Sequence, residues 1–197
     1  MSDPAVAILE FDSISAGIVA GDAMVKAAPV GAIYAGTVHP GKYLVLVTGD
    51  TASVEIARDV GSEAGAPSLV DSVFLPDVHP DVVDGLTGRG SAGSMAGNAA
   101  GIVETSTVAA VVDAGDAGVK AADVSLAAIS LADGLGGKGY LVFSGVVAEV
   151  EAAVDAAVAR VGAHGTLIRS DVIAQMHSEM ADNLLSDLRF LKRIGDL

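Results

Sequence analysis

Chemistry needs donors, acceptors or ligands at workable spacing, and this chain offers few. Glu10 and Glu104 each end a short apolar run, AVAILE and AAGIVE, and two carboxylates could form a general acid–base pair. They occupy matched places after equivalent strands, however, which favours a structural explanation over a catalytic one. Gly134, Leu135, Gly136 and Gly137 spell GLGG, a candidate phosphate loop. The strand-like YLVFSG follows it, where a dinucleotide fingerprint would open a helix, so the context fails. His79 and His177 stand at matched positions before a closing helix, which favours packing over catalysis. With no cysteine in the chain, disulfides, thiolate metal sites and a cysteine nucleophile are excluded. No nucleophile–base pair, metal motif or phosphate loop emerges, so no catalytic residue, metal or cofactor is assigned and the chain is not expected to be an enzyme.

The elements that must position any site are legible from composition and repetition. The 197 residues suit one large domain or two of about 100. Apolar residues make up 51% and aromatic ones 4%, so the interior must be filled by Ala, Val, Leu and Ile in close helix-on-sheet packing. The mean hydropathy of +0.55 is high for a soluble chain and implies apolar surface buried between subunits. A membrane span would need about 20 largely uncharged residues in a row, and Glu10, Asp22, Lys42, Glu104, Asp113 and Glu149 interrupt the richest stretches. The N-terminus lacks the basic-then-apolar layout of a signal peptide, so a cytoplasmic location is expected. A net charge of −14 argues against nucleic acid as a partner.

The chain contains itself twice. Ile8, Glu10, Ala16, Ala20, Gly21, Asp22, Val25 and Lys26 recur 94 residues later as Ile102, Glu104, Ala110, Ala114, Gly115, Asp116, Val119 and Lys120. Lys42 and Glu55 match Lys138 and Glu151 at an offset of 96, and His79 matches His177 at 98. The second copy therefore carries two extra residues in its Gly-rich loop. The expected domains are residues 1–86 and 99–197, with the Gly/Ser-rich stretch 87–98 as a flexible linker.

Each copy reads strand, helix, strand, strand, helix, strand, short helix. In the first, Ala5 to Glu10 is a strand, and Ser13 or Ser15 caps a helix that ends before Pro29. Ile14, Ile18, Val25 and Ala28 outline its apolar face, with Ala16, Ala20, Ala23 and Ala27 as close-approach positions. Val30 to Val38 and Tyr43 to Thr48 form strands joined by His39, Pro40 and Gly41. Asp50 or Thr51 opens a second helix with Val54, Ala57, Val60 and Ala64 at helical spacing, closed by Gly65. Leu69 to Leu75 is the fourth strand. The order indicates a ferredoxin-like α/β (α+β) sandwich in each copy.

These residues carry a family resemblance. GIVETSTVAAVVDAGDAGVKAA, GGKGYLVFSGVVAEVEAAV and IAQMHSEM of the second copy, with weaker counterparts in the first, resemble the bacterial microcompartment (BMC) shell domain. The match spans nearly the whole chain apart from the linker and the last dozen residues. It is similar to the tandem, unpermuted branch, in which three chains make a pseudo-hexameric disc. The family often has an Arg two residues before the closing His, where this chain has Asp77 and Gln175. Some tandem members hold an iron–sulfur cluster through pore cysteines, which this chain lacks.

The resemblance implies a structural shell tile with a central pore for small polar metabolites. Its partners would be itself as a homotrimer, other shell proteins and encapsulated enzymes, in a cytoplasmic microcompartment shell. Thr37, Val38, His39, Pro40 and Gly41, with Ala132, Asp133, Gly134, Leu135, Gly136 and Gly137, correspond to the pore loops. A plain hairpin turn would also use such Gly and Pro residues. Three-fold symmetry would gather three copies of His39 near one axis, but supporting metal ligands are missing from its neighbourhood in sequence. Lys26 and Lys120 lie in the last turns of equivalent helices, where the helix dipole favours any lysine. Read through the family they are tile-edge lysines that donate to carbonyls of the next tile. Leu184, Leu188 and Leu191, interleaved with Arg189, Lys192 and Arg193, suggest a C-terminal amphipathic helix, packed on the tile or docking another protein. The competing reading is a soluble trimeric metabolite-binding or regulatory protein of the same fold.

Overall fold

The computed structural model of the chain describes residues 5–88, 95 and 98–185. The element order is β1 (Ala5–Phe11), α1 (Ile14–Ala27), β2 (Ala32–Val38), β3 (Lys42–Gly49), α2 (Thr51–Gly65), β4 (Leu69–Leu75) and α3 (Pro80–Leu86). It repeats as β5 (Ala99–Thr105), α4 (Val108–Ala121), β6 (Ser125–Leu131), β7 (Gly139–Gly145), α5 (Val147–Gly162), β8 (Leu167–Ile173) and α6 (Ser178–Leu184). Each copy folds into a four-stranded sheet, in the orders β2-β3-β1-β4 and β6-β7-β5-β8. No helix among the described residues is long and apolar enough to cross a membrane.

The chain divides into two compact units. The first holds residues up to Val78 together with Ser106–Asp113 and Leu131–Gly139. Its sheet is antiparallel throughout, with Ile8 opposite Leu46 on one side and Val73 on the other, and β2 pairs with β3 from Ala32↔Thr48 to Val38↔Lys42. Leu9, Phe11, Val45 and Val47 point at Ala20, Met24, Val54 and Ala57 in the core. Ser13 caps α1 by accepting from the Ala16 amide at 3.3 Å, and Asp50 caps α2 by accepting from the Ser53 amide at 3.0 Å.

The inward face of α1 differs from the one expected. Gly17, Ala20, Gly21 and Met24 are buried, while Ile14, Ile18 and Val25 lie exposed. Close approach decides this: a Cβ on Gly17 would lie 2.5 Å from a Tyr43 ring carbon, so glycine rather than a branched side chain lets the helix settle on β3. In α2 the expected Val54 and Ala57 do face inward, but Gly61 and Gly65 continue the buried face instead of Val60 and Ala64. A Cβ on Gly65 would meet the Phe11 ring at 2.2 Å.

The second unit holds His79–Thr105, Ala114–Ser130 and the chain from Tyr140 onward. β5 pairs antiparallel with β8, with Ile102 opposite Asp171. Here too glycine sets the packing distance, since a Cβ on Gly118 would sit 2.1 Å from the Phe143 ring. Met95, within the stretch expected as a linker, is buried with Ala100, Val142, Met176 and Ala181. Leu188, Arg189, Leu191, Lys192 and Arg193 of the expected C-terminal helix, and most of the stretch 87–98, lie outside the described residues.

Candidate functional site

The two Gly-rich loops belong to one compact unit and touch. After β2 the chain turns at His39, Pro40 and Gly41, with the Gly41 amide donating to the Val38 carbonyl at 3.0 Å. Gly41 has φ 97°, a left-handed backbone that an L side chain resists. The longer loop is a closed turn: the Ala132 amide donates to the Lys138 carbonyl at 2.9 Å, and the Leu135 amide to the Ala132 carbonyl at 2.9 Å. Gly134, Gly136 and Gly137 have φ of 76°, 66° and 88°, and Ala132 takes φ 43°. Glycine is required at 134 and 136 by backbone conformation alone, because a Cβ there would meet nothing within 4 Å. At Gly137 space matters as well, since Pro40 Cδ would lie 3.0 Å from an added Cβ.

His39 and Asp133, singled out as the charge-bearing loop side chains, form one exposed pair. The Asp133 Oδ1 accepts from the His39 amide at 3.2 Å and lies 3.3 Å from its ring Nδ1. An imidazole with its proton on Nδ1 donates to the carboxylate, and a protonated one forms an ion pair with it. Lys42, at the end of the shorter loop, lies beside Gly137, and its ammonium is 2.5 Å from Glu10 Oε1.

Glu10 has the structural role that its repetition suggested, through a contact that local pattern did not reveal. Fully buried in β1, it accepts from the Val108 amide at 2.7 Å and the Ala109 amide at 3.5 Å through Oε2. A carboxylate thereby satisfies the first amides of α4 and meets the positive end of its dipole. Thr107 caps the same turn by accepting from the Ala110 amide, and its hydroxyl donates to Asp71.

The two lysines are held alike. Lys26 lies 2.5 Å from Asp22 Oδ2 and Lys120 2.6 Å from Asp116 Oδ2, one helical turn back in each case. This i, i+4 spacing was present in the sequence as DxxxK. The two histidines are N-caps: His79 Nδ1 accepts from the Asp81 amide and His177 Nδ1 from the Glu179 amide. Histidine is an unusual cap, so residue type gave no signal for it.

A family model for the BMC domain matches residues 5–78 and again residues 99–176. The chain belongs to the BMC-domain family, carrying the domain twice. Among relatives of such tandem BMC chains, the bacterial microcompartment shell protein PduT of Citrobacter freundii is 40% identical over 176 residues, covering 89% of this chain and 95% of its own length. The solved structure of a microcompartment protein from Desulfitobacterium hafniense DCB superposes with a TM-score of 0.78 at 36% identity, over 90% of this chain and 98% of that one. A fused permuted hexameric shell protein of the RMM microcompartment shares the fold, with a TM-score of 0.57 at 23% identity over 81% and 84%. The tandem BMC chain is thus a member of a structural shell-protein family.

Proposed function

We propose that the chain is a wall tile of a bacterial microcompartment shell, in which three copies close a pseudo-hexameric disc around a central opening. The proposed domains are residues 1–86 and 99–197 with 87–98 between them. Its function is selective passage by binding and exclusion, without bond-making, and other shell proteins and enclosed enzymes are its neighbours. One observation supports this reading most: the BMC domain occurs twice in this chain, and a shell-protein relative matches 89% of it over 95% of its own length. A six-domain ring then needs three chains, and closed cyclic symmetry leaves no interface unmet.

The opening is lined in this proposal by residues 37–41 and 132–137, three loops of each kind alternating. Left-handed glycines keep these rims thin and present backbone amides, suited to small polar solutes. Six His39 and Asp133 side chains around the axis would add three acid–imidazole pairs. Lys26 and Lys120 serve the outer boundary, where tiles meet.

Static light scattering tests the assembly. The mass should be three times the 19.5 kDa of one chain, and a monodisperse monomer at micromolar concentration would contradict the ring. Co-expression with shell proteins should then place the chain in assembled shells rather than in the soluble fraction.

A further inference from the structure

The two closing helices are held by a group that titrates near neutral pH. His79 and His177 share one backbone conformation, φ −65° ψ 138° and φ −66° ψ 138°. Each ring accepts through Nδ1 from the amide two residues on, Asp81 at 3.2 Å and Glu179 at 3.3 Å. A ring nitrogen that accepts carries no hydrogen, so the neutral imidazole keeps its hydrogen on Nε2. An ordinary imidazole gains a second proton at about pH 6.5. Nδ1 then becomes a donor facing a donor, and a cation at a helix N-terminus also opposes the dipole.

Both helices are covers of the second unit. In α3 Val82 is buried beside Gly115 of α4, and Gly85 packs so closely on β6 that an added Cβ would lie 2.8 Å from Ile129 Cγ2. In α6 Ala181 and Leu184 pack with Ala100 of β5 and Val142 of β7. Charges near the rings do not replace the caps. Asp81 Oδ1 lies 3.8 Å from His79 Nδ1, with the two side chains 40% and 35% exposed, and an ion pair that open contributes less than a cap does. Asp116, the acid that α4 brings to His79, accepts from the His79 amide at 2.8 Å and holds Lys120 through its other oxygen. His177 is exposed, with Glu179 and Asp182 as the acids of its own helix.

We infer that protonation of His79 and His177 releases α3 and α6 together, a pH-sensitive device that loosens the second unit and spares the first. The caps in the first unit keep their state over the same range. Ser13 of α1 does not titrate, and the Asp50 carboxyl of α2 is held below the ordinary aspartate range by the Ser53 side chain and then the Ser53 amide. Thr107 caps the first turn of α4 with a hydroxyl, and α5 starts without a side-chain cap. Among the described helices, α3 and α6 are therefore the ones whose caps change near neutral pH. The device belongs to the single chain and does not depend on the tile reading above.

Hydrogen exchange of the full chain, read by peptide mass spectrometry, tests this at about pH 7.5 and about pH 5.5, on either side of the ordinary imidazole value. Each rate is divided by its intrinsic value at that pH. In wild type, protection over Pro80–Leu86 and Ser178–Leu184 should fall about fivefold in acid, the weight of one typical cap. Protection over α1 and α2 should hold. His79→Asn with His177→Asn keeps a side-chain acceptor at each cap without a titrating ring, so its protection should not change with pH. His39 and His164 are common to both chains and cancel in the comparison. Unchanged wild-type protection, or an equal fall in the double variant, would overturn the inference. Nitrogen NMR of the wild-type imidazoles gives a second reading that needs no substitution. At neutral pH both capping rings should carry their hydrogen on Nε2, and an Nδ1–H form at either position would overturn the inference as well.

Discussion

Glu10→Gln is the most informative single change within the fold. The carboxylate carries two loads at zero exposure: Oε2 takes the Val108 amide at 2.7 Å, and Oε1 faces the Lys42 ammonium at 2.5 Å. Glutamine has nearly the same shape, but one of its terminal atoms becomes a donor. Whichever way it turns, a donor meets either the α4 amides or the ammonium. Breaking a buried pair by removing one partner costs about 3–5 kcal/mol. The Lys42 side chain retains 19% exposure, so water recovers part of the loss and about 3 kcal/mol is expected. At about 2–4 °C per kcal/mol for a chain of this size, the thermal midpoint should fall by roughly 6–12 °C. Lys42→Met should cost less, because the α4 amides and dipole still stabilise the carboxylate. Circular dichroism melts of both variants and wild type give the comparison. A Glu10→Gln midpoint within about 2 °C of wild type, below the range just derived, would refute the reasoning. So would a larger loss for Lys42→Met.

Gly118→Ala should lower stability by about 1–3 kcal/mol, since its Cβ would lie 2.1 Å from the Phe143 ring and overpacking costs that much; urea melts measure it. The Asp50 carboxyl is held below the ordinary aspartate range by the Ser53 side chain and then the Ser53 amide. Its contribution to stability is therefore complete above the unfolded pKa of about 3.9 and is lost as pH falls through the lower folded value. The midpoint gap between wild type and Asp50→Asn, present at neutral pH, should close in acid. Changing Lys26 and Lys120 together to Asp should leave trimers intact by light scattering but abolish sheets seen by electron microscopy. In shells reconstituted around a reporter enzyme, Asp133→Lys should break the contact with His39 and speed entry of small anions, and equal entry rates would remove these loops from the transport route.

Much of the fold was legible because its signals are local. The repeat placed every strand and helix, Ser13 and Asp50 are strong N-caps, and Pro29 and Gly65 are clear stops. The inward face of α1 was not legible, because an apolar-periodicity count rewards Ile14 and Ile18 over Gly17 and Gly21. In α1, close approach through Gly17 and Gly21 decides which face turns inward and leaves Ile14 and Ile18 outside. Met95 sits in a stretch whose composition says linker, yet its one long apolar side chain finds a core. At the candidate site, the loop residues were named from a resemblance. Their left-handed glycines and the His39–Asp133 contact come from tertiary placement across 94 positions. Glu10 was recognised as structural from its repetition, but its capping of α4 depends on a contact 98 residues away.

Electron cryomicroscopy of shells assembled with this chain tests the central claim most directly. Three copies should occupy one hexagonal position, with residues 37–41 and 132–137 alternating around the opening. Shells that form normally while the chain remains in the soluble fraction would contradict it.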